Sequence, residues 1–163
     1  MTKTQVQLRV NGRTHELWVG TNRLLLDALH DDLGMADVRY GCGEGVCGTC
    51  TILLDGEPVS ACLLFAVQVE GREITTLTGL PAADAESHPI QDCFLQAGAA
   101  QCGFCTPGMM LTALALVERT ERPTREDIRY ELVGNLCRCT GYTKIVDAVE
   151  EYACRRRGNG SHD

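Results

Sequence analysis

An excess of basic residues, a long apolar run and a nucleotide-binding loop are all missing from this 163-residue sequence. The net charge is −7 and the only basic run is Arg155, Arg156 and Arg157, so there is no broad electrostatic footprint for DNA or RNA. No apolar stretch approaches the roughly 20 residues that a membrane span requires. The opening residues, Met1-Thr2-Lys3-Thr4, lack the charged-then-apolar pattern of a secretory signal, and the expectation is a cytoplasmic chain. Neither a Walker A loop nor a G-x-G-x-x-G fingerprint is present, which leaves no evident site for ATP, NAD or FAD on this chain, and no nucleophile-and-base pair stands out. The four histidines, His15, His30, His88 and His162, are scattered at none of the cysteine spacings, so Rieske-type ligation has no support.

What the sequence does have is cysteine, ten residues of it, in a chain that is 44% hydrophobic and long enough for one large domain or two small ones. In a reducing compartment that many thiols point to metal rather than disulfides. Eight of them fall into two quartets: Cys42, Cys47, Cys50 and Cys62, then Cys102, Cys105, Cys137 and Cys139. Cys93 and Cys154 lie outside both. Two quartets predict two sites.

The first half reads as mixed α and β. Val6, Leu8 and Val10 alternate, Asn11-Gly12 signals a two-residue hairpin turn, and a return strand follows around residues 16–19. A helix is expected over 22–33, capped by Thr21 and stopped by Gly34, with Leu25, Ala28 and Leu29 as its apolar stripe. The stretch holding Gly41, Gly43, Gly45 and Gly48 is too glycine-rich for a helix or regular strand and reads as a loop shaped around a bound group. Strands are expected at 51–54 and 73–77, with a second tight turn at Asp55-Gly56. Residues 79–89 lack an apolar period and read as a linker between a first domain, 1–78, and a second, 90–163. Beyond the linker, four helices are expected at 90–97, 107–118 behind a Thr106 cap, 125–132 behind Thr124, and 143–156. Thr124 and Asp127 form a short capping box. The fold class is therefore α+β, a mixed domain followed by a small all-α bundle.

Cys42, Cys47 and Cys50 have C-x4-C-x2-C spacing with Cys62 further on, which matches the plant-type 2Fe-2S arrangement better than the usual zinc spacings. The neighbouring glycines let backbone N–H groups approach cluster sulfur without Cβ clashes. A zinc knuckle or free thiols are the competing readings. In the second quartet, the C-x2-C pair Cys102 and Cys105 precedes one helix and the C-x-C pair Cys137 and Cys139 precedes another. Two helix N-termini facing one site would stabilise a negatively charged thiolate cluster. On spacing alone, iron–sulfur and zinc both remain open there.

The run from Cys42 to Cys50 with Cys62, then Gln101-Cys-Gly-Phe-Cys-Thr-Pro-Gly108 and Gly134-Asn-Leu-Cys-Arg-Cys-Thr-Gly-Tyr142, closely resembles the small iron–sulfur subunit of the xanthine dehydrogenase/molybdenum hydroxylase family. The resemblance spans about residues 3–155 and keeps both quartets intact. It implies a ferredoxin-like β-grasp domain followed by a helical-bundle domain, each with a 2Fe-2S cluster. It also implies an electron-relay role between a molybdenum–pterin cofactor on a large partner subunit and FAD on a medium one, with Gln101 reaching the pterin and Cys139 close to it. A heterotrimer is the expected assembly, and pairing of two heterotrimers has family precedent. A freestanding two-cluster ferredoxin and a zinc-binding adaptor are the alternatives, and the substrate belongs to the large subunit.

Among the remaining residues, Cys93 and Cys154 read as helix-packing thiols and Trp18 as a packing residue. Arg138, between two expected ligands, either tunes a cluster, forms a salt bridge or meets a partner. Leu63, Leu64 and Phe65 are expected to exclude water from a cluster or to bury at an interface.

Overall fold

The computed structural model describes residues 2–80 and 87–159; residues 81–86, most of the expected linker, and His162 lie outside the described residues. The chain opens with β1 (Lys3–Val10) and β2 (Arg13–Gly20), joined by Asn11 and Gly12 at φ 53° and 74°. Two consecutive left-handed residues match the right-handed twist of the strands, and an Asn-Gly pair is the least strained way to supply them. Val6, Leu8 and Val10 all point inward, as the alternation requires. Next come β3 (Thr51–Leu54), the Asp55–Gly56 turn at φ 51° and 87°, β4 (Glu57–Ser60) and β5 (Glu73–Thr75). The sheet order is β2-β1-β5-β3-β4, with β1 and β5 parallel and the other neighbours antiparallel. This is the β-grasp arrangement, a sheet closing on one helix.

That helix departs from the sequence expectation. It begins at Leu25, as α1 (Leu25–Asp27), and widens into a π-helical turn at Ala28–Asp32, where the Leu33 N–H reaches the Ala28 carbonyl at 3.0 Å. Thr21 caps nothing, because residues 23–25 are claimed by a distant segment. The Leu25 N–H donates to the Leu64 carbonyl at 2.7 Å and the Ala66 N–H to the Arg23 carbonyl at 2.9 Å, which holds Leu24 extended at the N-cap. Tertiary pairing here outweighs local capping. Leu25, Leu26 and Leu29 still pack under the sheet with Val6, Leu8 and Ile52.

The second unit contains α2 (Pro89–Gln96), α3 (Thr106–Arg119), α4 (Arg125–Glu131) and α5 (Thr143–Asn159). The Thr124–Asp127 capping box forms in both directions. The Thr106 cap does not: Cys105 takes the N-cap position with αR dihedrals and no side-chain cap, and Thr106 is the first helical residue. α3 is buried from Pro107 to Val117 because it packs on the sheet on one side and on the other helices on the other. β3 is where the units meet. Ile52 and Leu54 face the first core while Leu53 joins the second with Met109, Met110 and Leu114, so β3 is buried on both faces. No helix among the described residues is long and apolar enough to cross a membrane.

Candidate functional site

The first cysteine loop runs from Gly41 to Cys50. Left-handed backbone at Gly43 and Gly45, φ 71° and 76°, turns amides inward: the Glu44 N–H donates to Cys42 Sγ at 3.3 Å, and the Cys42 N–H to Cys47 Sγ at 3.4 Å. A Cβ at Gly41 would lie 2.6 Å from Cys47 Sγ, so this position must be glycine for the thiol to sit where it does. The amides, led by that of Glu44, hold the Cys42 thiol down to about 6. Cys62 is brought in from the 3-10 turn Ala61–Leu63 after β4, where the Ala61 N–H bonds the Cys50 carbonyl at 3.3 Å. Cys50 and Cys62 are both buried, and loss of solvation, with the Cys62 thiol beside it, pushes Cys50 up to about 11.

The second quartet converges from two loops. Cys102 and Cys139 are exposed and 3.6 Å apart, with Cys139 donating. Hydrogen bonding, first from the Phe104 amide and then from Cys139, lowers the Cys102 thiol, while the same Cys102–Cys139 contact raises Cys139. Cys105 and Cys137 form the inner pair. Burial, then the Cys137 thiol, pushes Cys105 up to about 12. Burial opposes ionisation at Cys137 too, but the Thr140 hydroxyl at 3.2 Å and the Thr140 amide at 3.4 Å bring it below its ordinary range. The Cys137 N–H donates to the Tyr142 hydroxyl at 2.8 Å, and Tyr142 holds a left-handed backbone at φ 69° to make that bond.

In the second site Cys102 and Cys139 meet directly at 3.6 Å, while Cys42 with Cys47, Cys50 with Cys62 and Cys105 with Cys137 lie near enough to shift one another's ionisation. Among the described residues no three His, Cys, Asp or Glu side chains are grouped to hold one ion. A sulfide-bridged iron pair takes two thiolates on each iron, so this donor set fits a 2Fe-2S cluster.

Sequence reasoning missed the residues that join the two sites. The Leu136 N–H donates to the Cys47 carbonyl at 2.9 Å, so adjacent residues of the two cysteine loops are directly bonded. Asn135, 4% exposed, donates from Nδ2 to the Gly48 carbonyl at 3.1 Å and accepts from the Thr112 hydroxyl at 3.0 Å. Arg39, three residues before Cys42, donates from Nη1 to the Phe104 carbonyl at 3.0 Å and to the Gly103 carbonyl, with its Cζ 5.7 Å from the Phe104 ring centroid. Sequence separations of 64 to 89 residues leave no local pattern for the contacts from one cysteine loop to the other. The signal the sequence offers is an Asn two positions before Cys137.

The other singled-out residues divide. Gln101 is exposed next to Cys102. Cys93 is buried on α2, as a packing thiol should be, but Cys154 is exposed on α5 between the inward-facing Ala153 and the solvent, and the packing reading fails for it. It also fails for Trp18, 68% exposed, because β2 pairs it with Gln5 on the solvent face of β1. Arg138 is exposed and forms no salt bridge among the described residues. Leu63 is largely exposed but lies over the first loop: a Cβ at Gly45 would come within 2.4 Å of Leu63 Cδ1. Phe65 is exposed at 40%.

Residues 8–78 match the 2Fe-2S iron-sulfur cluster binding domain family, and residues 76–150 match the 2Fe-2S binding domain family. The chain is 46% identical over 159 residues to the nicotinate dehydrogenase small FeS subunit of Eubacterium barkeri, covering 98% of this chain and 100% of that one. Its structure resembles a chain of quinoline 2-oxidoreductase from Pseudomonas putida 86 with a TM-score of 0.90 at 39% identity, covering 97% and 98% of the two chains. It also resembles the aldehyde oxidoreductase of Desulfovibrio desulfuricans, TM-score 0.89 at 45% identity, over 96% of this chain but 18% of that much longer one.

Proposed function

Since the chain belongs to the small iron–sulfur subunits of the xanthine dehydrogenase/molybdenum hydroxylase family, we propose that Cys42, Cys47, Cys50 and Cys62 hold one 2Fe-2S cluster, and Cys102, Cys105, Cys137 and Cys139 the other. It is an electron-transfer subunit carrying two 2Fe-2S clusters in an oxidoreductase whose substrate chemistry occurs on a partner chain. Each cluster supplies a one-electron redox centre. The observation that supports the ligand assignment is the direct Cys102–Cys139 contact together with backbone amides aimed at the Cys42, Cys47 and Cys137 sulfurs.

The chain's own residues then do three things. Burial of Cys50 and Cys62 keeps water from their thiolates, and Cys105 and Cys137 are half-buried. The amides of Cys42, Glu44 and Thr140 stabilise sulfur charge. The bonds through Leu136 and Asn135 hold the two loops at a fixed separation, which a relay between them needs. The exposed pair Cys102 and Cys139, with Gln101 beside it, favours the second cluster as the one nearer a molybdenum–pterin cofactor on a large partner subunit. The first cluster then faces FAD on a medium subunit, in a cytoplasmic heterotrimer. Exposed Tyr130, Val133 and Leu136 beside the second loop are apolar surface that a partner would cover.

Iron and acid-labile sulfide assays on anaerobically purified chain, with low-temperature EPR after dithionite reduction, test this reading. About four irons per chain and two distinguishable signals are expected. Zinc in place of iron with no EPR signal would remove it, and full activity of the isolated chain as a monomeric shuttle would favour the ferredoxin alternative. Gln101→Ala is expected to leave both signals intact while slowing reduction of the second cluster by substrate in the assembled complex. Unchanged turnover would sink the pterin contact.

A further inference from the structure

Arg39 belongs to the first unit by sequence, yet both of its terminal contacts are in the second. Its Nη1 donates to two consecutive carbonyls, Gly103 and Phe104, inside the Cys102–Cys105 loop, and its guanidinium lies over the Phe104 ring. Nε donates to the Ala36 carbonyl at 3.4 Å, which anchors the side chain at its base. Among the described residues Arg39 forms no salt bridge.

The geometry of the peptide group turns these contacts into an effect on sulfur. A planar trans peptide points its C=O and N–H in opposite directions. Holding the Gly103 carbonyl toward Arg39 turns the Phe104 N–H away from it, and holding the Phe104 carbonyl does the same for the Cys105 N–H. Gly103, left-handed at φ 76°, allows the chain to present both carbonyls to one side. The Phe104 and Cys105 N–H groups so oriented face away from Arg39, within the same short loop that carries the Cys102 and Cys105 thiols.

We propose that Arg39 is a positioning residue for the second cluster: from the first unit it holds the Gly103 and Phe104 carbonyls, aims the loop amides at the cluster's sulfurs, and so raises that cluster's reduction potential relative to the first. Reduction adds one negative charge, which amide dipoles and a nearby cation both stabilise. The inference rests on Cys102 and Cys105 being cluster ligands. A plain packing role for Arg39 would affect stability but not the potential of one cluster alone.

The test is an EPR-monitored redox titration of the full-length, cluster-loaded chain as wild type, Arg39→Ala and Arg39→Lys. At the wild-type midpoint of the second cluster, Arg39→Ala is expected to lower its reduced-to-oxidised ratio by about tenfold, which is about 59 mV for one electron. The first cluster's ratio should change by less than about twofold, a shift of under about 20 mV on the same scale. Lysine keeps the charge but not the planar fork, so Arg39→Lys should fall in between. Loss of the second cluster alone in either variant also supports positioning. A second-cluster ratio that is unchanged in both variants at full iron content, an equal shift at both clusters, or loss of both clusters together would overturn it. Failure of the ligand reading is separate, because it appears in the wild type as fewer than about four irons or a single signal.

Discussion

Cys139→Ala is expected to lower bound iron from about four to about two per chain, remove one of the two EPR signals and stop electron flow through the assembled complex. The physical case for so clean a result is the position of the side chain. Cys139 is exposed, and its recorded sulfur contact is Cys102 at 3.6 Å, so removing the thiol opens no core cavity. Substitutions at such surface positions ordinarily change stability by within about 0.5 kcal/mol, so the metal-free variant should melt close to the metal-free wild type. The Thr140 hydroxyl next in sequence is engaged with Cys137 Sγ at 3.2 Å and so is not free to replace the sulfur. The first cluster's signal should persist, because the Cys139 thiol meets Cys102 of its own quartet. Equal loss of both signals would count against two separate sites.

Gly108→Ala sets two effects of known size against each other. Gly108 is a buried helical residue near the start of α3, and alanine in a helix is favoured over glycine by about 1 kcal/mol. Yet a Cβ there would come within 2.2 Å of the Gly48 carbonyl oxygen in the first cysteine loop. That oxygen cannot swing aside, because it accepts from the Thr51 hydroxyl at 2.7 Å, the Thr51 amide at 3.2 Å and Asn135 Nδ2 at 3.1 Å. Moving α3 instead disturbs the packing of Met109 and Met110 against Leu53. Overpacking of this kind costs about 1–3 kcal/mol, and more where backbone must move, so packing outweighs propensity. A net loss of about 2 kcal/mol corresponds to a fall in Tm of roughly 4–8 °C for a chain of this size. Gly134→Ala is the control: its Cβ would meet nothing within 4 Å, and Tm should stay near wild type. A Gly108→Ala chain as stable as wild type would mean that α3 and the first loop are not in close contact.

The two substitutions also separate what was legible in the sequence from what was not. Cys139 is visible as part of a spaced motif. Gly108 is visible only as the end of a Gln101–Gly108 run, and its reason for being glycine is a carbonyl 60 positions earlier. The same division runs through the elements. The turns at Asn11-Gly12 and Asp55-Gly56, the alternation of Val6, Leu8 and Val10, and the Thr124 capping box form as their residue types require. Where the local signal failed, at Thr21 and Thr106, the backbone had another partner or another role: residues 23–25 pair with 64–66, and Cys105 occupies the N-cap.

By itself the sequence determined four of the five strands and both tight turns, the helical second half, and the eight cysteines in two spaced groups, because each depends on neighbours within a few positions: a backbone angle, a cap, a period of two or 3.6 residues. Only the tertiary structure decided which thiols lie near one another, that Trp18 and Cys154 face solvent, and that Arg39, Asn135 and the Leu136 amide bind one cysteine loop to the other. Those contacts join residues more than 60 positions apart across the β3–α3 interface, and their energies come from desolvation and geometry that exist only once both units are packed.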